Sequence, residues 1–445
     1  MRRLMVLTLV FAISLSLVGL GEETAEDKAA RMQWFEQAKL GIFIHWGIYA
    51  VNGIDESWSF HNAYIPYAEY MKQLKGFTAA KYDPQGWAQL IQTSGAKYAV
   101  LTTKHHDGVA LWDSEHSDLN VVDKTPAGRD LIEPLVQALR DRGLKAGLYF
   151  SQLDWSHPDY PHHTRTEKRY RPQDDPARWA RFLAFQQGQL GEIMCLYQPD
   201  LIWFDGDWDY GADLWRAADQ RQMIFDALPN AIVNSRLNGY GDYATPEQGL
   251  PITRPPERWW ELCMTMNDSW GFQHNDHNYK TPNQIIRILV DCLSLGGNLL
   301  LGIGPQADGT IPDKQVAILQ ELGRWTRKHQ EAIYGVKAGI LPGHFNGPTA
   351  LSQNHEILYL YLTHRPNGPI ALKGIKNPIH RIWVVGNGTK LKWEIKMKAY
   401  WSAVPGIAYI DVPEACLDDQ VTVLAVLLKG KVDLYRKDGQ VLESN

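Results

Sequence analysis

The chain is 445 residues long with 45 Lys and Arg against 50 Asp and Glu, a formal net charge of −5, so its overall balance carries no footprint for nucleic acid or an anionic membrane. Its four cysteines, Cys195, Cys263, Cys292 and Cys416, are far apart with no C-x-x-C pair, which excludes a zinc ribbon and a small disulfide scaffold. The aromatic count is high, with 17 Trp, 20 Tyr and 12 Phe; flat rings suit a large core or the faces of sugars.

Met1, Arg2 and Arg3 precede an apolar run from Leu4 to Leu20 that closes on Gly19-Leu20-Gly21. A basic start, an apolar middle and small residues at the end read as a signal peptide over 1–21, hence an exported protein, periplasmic or extracellular. A membrane anchor is the competing reading, but Ser14, Ser16 and Gly19 dilute the run, and no stable membrane span is expected.

From Gly41 onward, short β-branched or apolar runs alternate with helical patterns. Strands are expected over 41–45, 98–103, 145–150, 200–205, 231–234, 259–264 and 298–303, and helices over 84–93, 130–142, 177–197, 214–228, 282–295 and 312–328. This α/β order predicts a (β/α)8-like, TIM-type barrel over 22–336, with one further strand degenerate. A doubly wound sheet is the alternative, but no G-x-G-x-x-G follows the first strand. His45, the run Lys104-His105-His106-Asp107, Ser151, Asp205, Arg236 and Glu261 are read at or just after strand ends, which a barrel gathers at one mouth. The insertion 157–175 reads as an exposed loop over that mouth. Beyond about residue 335, short alternating segments separated by Asn367-Gly368, Gly386-Asn387-Gly388 and Asp438-Gly439 predict a C-terminal antiparallel β-sandwich over 337–445. Its Trp383, Trp393 and Trp401 are expected to pack in a core.

Asp205 closes an apolar strand and is followed by Gly206, with Trp203 and Trp208 on either side. A carboxylate beside apolar walls is how a sugar ring is held over a nucleophile, whereas a helix cap is the structural alternative. Glycoside hydrolysis needs a second carboxyl group. Glu247, in a loop after the fifth strand, and Glu261, on the sixth strand beside Trp259 and Trp260, are both candidates; Glu247 is favoured because a loop carboxyl approaches the scissile oxygen from the side. His45, His105 and His106 could hold a metal with Asp205, but the first strand offers His-Trp-Gly rather than a His-x-His pair, so hydrogen bonding to sugar hydroxyls is the preferred assignment.

The ordered motifs are Lys39-Leu40-Gly41-Ile42-Phe43-Ile44-His45-Trp46-Gly47, Lys104-His105-His106-Asp107-Gly108, Gly147-Leu148-Tyr149-Phe150-Ser151, Ile202-Trp203-Phe204-Asp205-Gly206, Asn234-Ser235-Arg236, Trp260-Glu261, Ser269-Trp270-Gly271 and the run from Gly296 to Pro305. Together they resemble glycoside hydrolase family 29, the α-L-fucosidases, over about residues 30–335. The resemblance implies a barrel followed by a sandwich, a retaining mechanism with Asp205 as nucleophile, and neither metal nor cofactor. Its sugar contacts carry over to His45, Trp58, His105, His106, Trp203, Arg236 and Trp270, and to Tyr149 or its neighbour in the strand. The Thr245-Pro246-Glu247 segment resembles the subgroup in which that Glu is the acid/base and fucose is linked α-1,3 or α-1,4, so the implied partner is a fucosylated oligosaccharide or glycoconjugate. One departure stands out: the family usually has Glu directly before Trp after the first strand, whereas here Glu56-Ser57-Trp58 displaces the Glu by one. A carbohydrate-binding pseudoenzyme that retains the pocket and a metal-dependent barrel hydrolase are the competing functions. The sequence leaves the oligomeric state open.

Overall fold

The computed structural model describes residues 23–435 apart from 399 and 402, so the expected leader over 1–21 lies outside the described residues. Seven parallel strands, β1 (Leu40–Ile44), β2 (Tyr98–Lys104), β3 (Lys145–Ser151), β4 (Leu201–Asp205), β5 (Ile232–Val233), β6 (Glu261–Thr265) and β7 (Asn298–Ile303), form one curled sheet in the order β5-β4-β3-β2-β1-β7-β6. Except for Lys145 they are buried throughout, which is why they read as unbroken apolar runs.

Period-two alternation divides each strand between two cores. Phe43, Tyr98, Val100, Tyr149, Leu201, Trp203, Cys263 and Leu300 cluster inside the curl. Ile42, Ile44, Ala99, Leu101, Leu148, Ile202, Leu262 and Leu299 join the layer beneath the helices. Gly41 admits an inward ring: a β-carbon there would stand 2.4 Å from the ring of Tyr98.

Between β5 and β6 the segment 242–248 takes the place of the degenerate eighth strand. It makes isolated parallel bridges to both sides, Asn234 with Tyr243, Ala244 with Trp260, and Glu247 with Cys263. Asp242 N donates to Val233 O at 2.7 Å and Cys263 N donates to Pro246 O at 3.0 Å. Glu247 lies in the connection after β5, as expected, and its bridge to Cys263 holds that connection against the barrel wall. The correction concerns Glu261, which begins β6 opposite Asn298 at the start of β7. It lies at the floor of the barrel, away from the C-terminal strand ends.

The helices between strands follow their local signals. Pro84–Ser94 starts on the Asp83 cap, Pro176–Tyr197 on Asp175, and Pro282–Leu295 on a Thr281–Gln284 capping box. The expected helix over 214–228 is instead two, Ala212–Trp215 and Ala217–Ala227, broken at Arg216 with φ +53° while Trp215 is buried against Trp179 and Tyr210. The insertion 157–175 is also less exposed than expected. Tyr160 is buried and donates to Asp209 Oδ2 at 2.6 Å, and Arg169 binds the carbonyls of Trp155, Tyr160 and His162.

Two antiparallel sheets follow the barrel. β12 (Ile379–Val384), β15 (Thr422–Leu428), β10 (Ile357–Leu362), β9 (Thr349–Leu351) and β8 (Lys337–Ala338) form one; β11 (Ile370–Lys373), β14 (Ile407–Ile410) and β13 (Trp393–Lys396) form the other. Leu358, Leu360, Leu424 and Val426 fill the space between them. Trp383 is buried and Trp393 half-buried, but Trp401 is 77% exposed, so the core role expected of it is wrong. All four cysteines are free thiols. Among the described residues no helix is long and apolar enough to cross a membrane.

Candidate active site

Strand parity places the inward side chains at the C-terminal mouth. His45 continues the face of Phe43, and Asp205 continues that of Trp203. They line a cavity of about 310 Å³ with Trp58, His105, Tyr149, Trp208, Arg236, Glu247 and Trp270. Ten of the positions anticipated from sequence thus meet at one place, nine in the lining and His106 just behind it. Glu261 does not join them. Its side chain is buried at the floor, where it accepts hydrogen bonds from Tyr98 Oη and, at 3.1 Å, from Trp203 Nε1. Burial pushes its carboxyl up to about 7.

Asp205 receives Tyr149 Oη on Oδ2 at 2.9 Å and Arg236 Nη1 on Oδ1 at 2.8 Å. The other arm of the same guanidinium, Nη2, donates to Glu247 Oε2 at 2.6 Å. One planar fork therefore spans both carboxyl groups, and it lies over the Trp203 ring with its carbon 4.6 Å from the ring centre. Trp270 Nε1 donates to the other Glu247 oxygen at 3.2 Å. Tyr149 rather than Phe150 is the strand residue that reaches the site; burial and the Asp205 charge hold its phenol well above the usual range, so it remains a donor.

The two adjacent histidines both face inward because β2 ends irregularly. Its register against β3 shifts between Thr102 and Lys104, and the chain then turns at Gly108 with φ +78°. His106 Nδ1 pairs with Ser151 Oγ at 2.6 Å, and its Nε2 stands 3.6 Å from Asp205 Oδ2. His105 Nδ1 bonds Ser57 Oγ. Burial lowers all three imidazoles, His105 to about 4 and His45 and His106 well below their ordinary value. Neutral rings can donate and accept at once, as recognition of a hydroxyl requires. Among the described residues no group of three or more His, Cys, Asp or Glu is placed to hold a metal ion.

The walls are aromatic. Trp270 stacks on His45 with centroids 4.7 Å apart, and Trp58 stacks on Trp208 at 6.1 Å. Phe43 and Trp208 were not among the expected sugar contacts, although their places two residues before His45 and three after Asp205 carried the signal. Glu56 turns away from the cavity and accepts from Gly271 N, while Ser57 supports His105.

A model of the α-L-fucosidase family matches residues 21–331. The chain is 34% identical over 338 residues to a plasma α-L-fucosidase of Rattus norvegicus, covering 69% of this chain and 71% of that protein. It is 32% identical over 395 residues to a tissue α-L-fucosidase of Homo sapiens, covering 81% and 82%. Among solved structures, it is similar to α-L-fucosidase isoenzyme 1 from Paenibacillus thiaminolyticus, with a TM-score of 0.82, 36% identity, and 90% of this chain and 99% of that chain covered. A Bacteroides thetaiotaomicron α-L-fucosidase of glycoside hydrolase family 29, trapped as a covalent intermediate with 2-fluoro-fucosyl fluoride in a glutamate-to-glutamine mutant, superposes with a TM-score of 0.80 at 27% identity, covering 90% and 96%.

Proposed function

Because this chain belongs to the α-L-fucosidase family, glycoside hydrolase family 29, and is by that membership a glycoside hydrolase, we propose that it removes terminal α-L-fucosyl residues with retention, through a fucosyl-enzyme intermediate on Asp205. The observation that carries this reading is the Arg236 fork bonded to Asp205 and Glu247 together. Retaining chemistry needs two carboxyl groups close together, roughly 5–5.5 Å apart, and a shared guanidinium sets these two side by side at the mouth.

In the first step an Asp205 oxygen attacks the anomeric carbon while Glu247 gives its proton to the departing glycosidic oxygen. In the second, Glu247 takes a proton from water, and the water oxygen displaces Asp205 to release fucose. Tyr149 steadies the attacking carboxylate. The neutral His45, His105 and His106 read hydroxyls, and Trp58, Trp203 and Trp270 wall the ring. The Thr245-Pro246-Glu247 segment supports a preference for α-1,3/1,4-linked fucose on oligosaccharides or glycoconjugates. Export completes the reading; it is supported by the basic and apolar N-terminus and by a family match that begins at residue 21, and N-terminal sequencing of secreted protein tests it.

The deciding experiment compares 4-nitrophenyl α-L-fucoside with an α-1,3/1,4-fucosylated oligosaccharide on wild type, Asp205→Ala, Glu247→Ala and Glu261→Ala. Loss of turnover in Asp205→Ala, with azide restoring it as an inverted product, is the expected result. Glu247→Ala should keep the nitrophenyl substrate far better than the oligosaccharide, because a good leaving group needs no proton. That signature in Glu261→Ala instead would reassign the acid, and silence of the wild type on both substrates would leave a sugar-binding protein.

A further inference from the structure

Trp58 and Trp270 face the cavity from turns that follow β1 and β6, far apart in the chain, yet the two turns are fastened to each other. Glu56, only 5% exposed, accepts the Gly271 amide at 2.5 Å. Asp55 Oδ1 accepts from Gln273 Nε2 at 2.5 Å. Behind Gly271 there is no slack: a β-carbon at that position would stand 2.6 Å from the Tyr49 ring and 3.0 Å from the Glu56 carboxyl, and one on Gly304 would stand 2.6 Å from Gly271 itself. Glu56 is thus two residues from one wall, and the amide it holds is the residue next to the other. The mechanism above gives it no task.

We propose that Glu56 is a positioning residue of the sugar pocket, its buried carboxyl tying the Gly271 turn to the Trp58 turn and so setting the separation of the two tryptophan walls. The inference rests on the fucosidase reading for its kinetic readout only. The carboxyl faces Asp55 on its own turn, Asp107 at the end of β2 and the phenols of Tyr49 and Tyr70, without a compensating cation among the groups that act most strongly on it. Burial and the two carboxylates push it up to about 7. The Gly271 amide pulls the other way, because an ionised carboxyl is the stronger acceptor, so the tie persists in both protonation states.

The test uses the full-length protein and three substitutions, Glu56→Ala, Glu56→Gln and Gly271→Ala. Glu56→Ala removes the acceptor, and one lost hydrogen bond to a wall predicts about a tenfold rise in KM for 4-nitrophenyl α-L-fucoside with kcat within about threefold. Gly271→Ala, which forces the turn off Glu56, should do the same. Glu56→Gln retains the accepting oxygen, and near pH 5.5 its KM should stay within about twofold of wild type. Hydrogen exchange at the Gly271 amide, which needs no turnover, should be about tenfold or more faster in Glu56→Ala and unchanged in Glu56→Gln. An unmoved KM or an unmoved Gly271 exchange rate in Glu56→Ala overturns the proposal. So does a Glu56→Gln variant as impaired as the alanine at pH 5.5, since the carboxyl would then act on the sugar itself. If the alanine variant fails to fold, Gly271→Ala decides: an unmoved KM there overturns the proposal. A wild type inactive on fucosides defeats the fucosidase reading alone, because the exchange rates still report the tie.

Discussion

Glu247 and Glu261 face the same barrel interior and end with opposite duties because they stand at different heights on it. Glu247 reaches the mouth with its side chain 40% exposed and shares Arg236 with Asp205. Glu261 begins its strand, and its oxygens are spent on Tyr98 and on the indole of Trp203 that floors the pocket. The residue types and the inward parity were legible in the sequence. The height was not, because starting the strand at 259 rather than 261 places the same side chain well inside it, and each residue of shift moves a side chain about 3.3 Å along the barrel. The burial of Glu261 has a consequence for stability. The carboxyl ionises near 4.5 when unfolded and near 7 when folded, so between those values the native state binds more protons and stability falls as pH rises. Glu261→Gln cannot ionise. Relative to wild type it should gain about 2 kcal/mol on going from about pH 5 to pH 8, at 1.36 kcal/mol per pKa unit, read as the change in urea unfolding free energy. A constant difference across that range would mean that Glu261 is ionised in the native protein throughout.

The eighth wall element was the part of the fold hardest to read, for a physical reason. Tyr243-Ala244-Thr245-Pro246-Glu247 is short, contains a proline with no amide to give, and contributes mainly carbonyl acceptors to β6, among them Pro246 O for the Cys263 amide. Nothing in its composition signals a strand, whereas β1, β2, β3, β4 and β7 announced themselves as apolar runs. What anchors it is charge. Asp242, its side chain wholly buried, receives Arg31 at 2.7 and 2.8 Å, Arg221 at 2.5 and 3.0 Å and the Val233 amide at 2.9 Å. These partners hold its carboxyl far below the usual range. Removing one partner from a buried charge network costs about 3–5 kcal/mol, since the remaining charges stay desolvated. Asp242→Ala should lose that much in urea unfolding and, because the same segment carries Glu247, should lose kcat/KM on fucosylated oligosaccharide at temperatures where the fold survives. Full activity in a folded Asp242→Ala protein would show that the bridge to Cys263 and the bonds from Arg236 and Trp270 place Glu247 without the Asp242 anchor.

At the scale of the whole molecule, the alternation that gave the sandwich its own core also commits it to the barrel. The even-numbered Leu358, Leu360, Leu424 and Val426 pack between the two sheets. The odd-numbered Tyr359, Tyr361, Val423 and Ala425 belong to the same continuous apolar cluster as the barrel helices. Polar fastenings follow the same seam. Trp325 Nε1 donates to Val421 O at 2.8 Å, Asn283 Nδ2 to Gln420 O at 3.0 Å, and Arg324 and Lys328 close on Asp418 at 3.0 and 2.7 Å. A sheet buried on both faces has no solvent side to fall back on, so the two cores should unfold as one. In urea, far-ultraviolet circular dichroism and tryptophan fluorescence are expected to give a single coincident midpoint. A chain ending at Val336 should uncover the helix surface beneath Tyr359, Tyr361 and Trp383 and aggregate, instead of surviving as a smaller active barrel. The sequence pattern alone marked the 337–445 strands as a sandwich without saying how it meets the barrel, because alternation shows that two faces differ and is silent on what covers each. Two separated transitions, or an active truncated chain, would make the sandwich an independent appendage and the shared cluster a contact of little energetic weight.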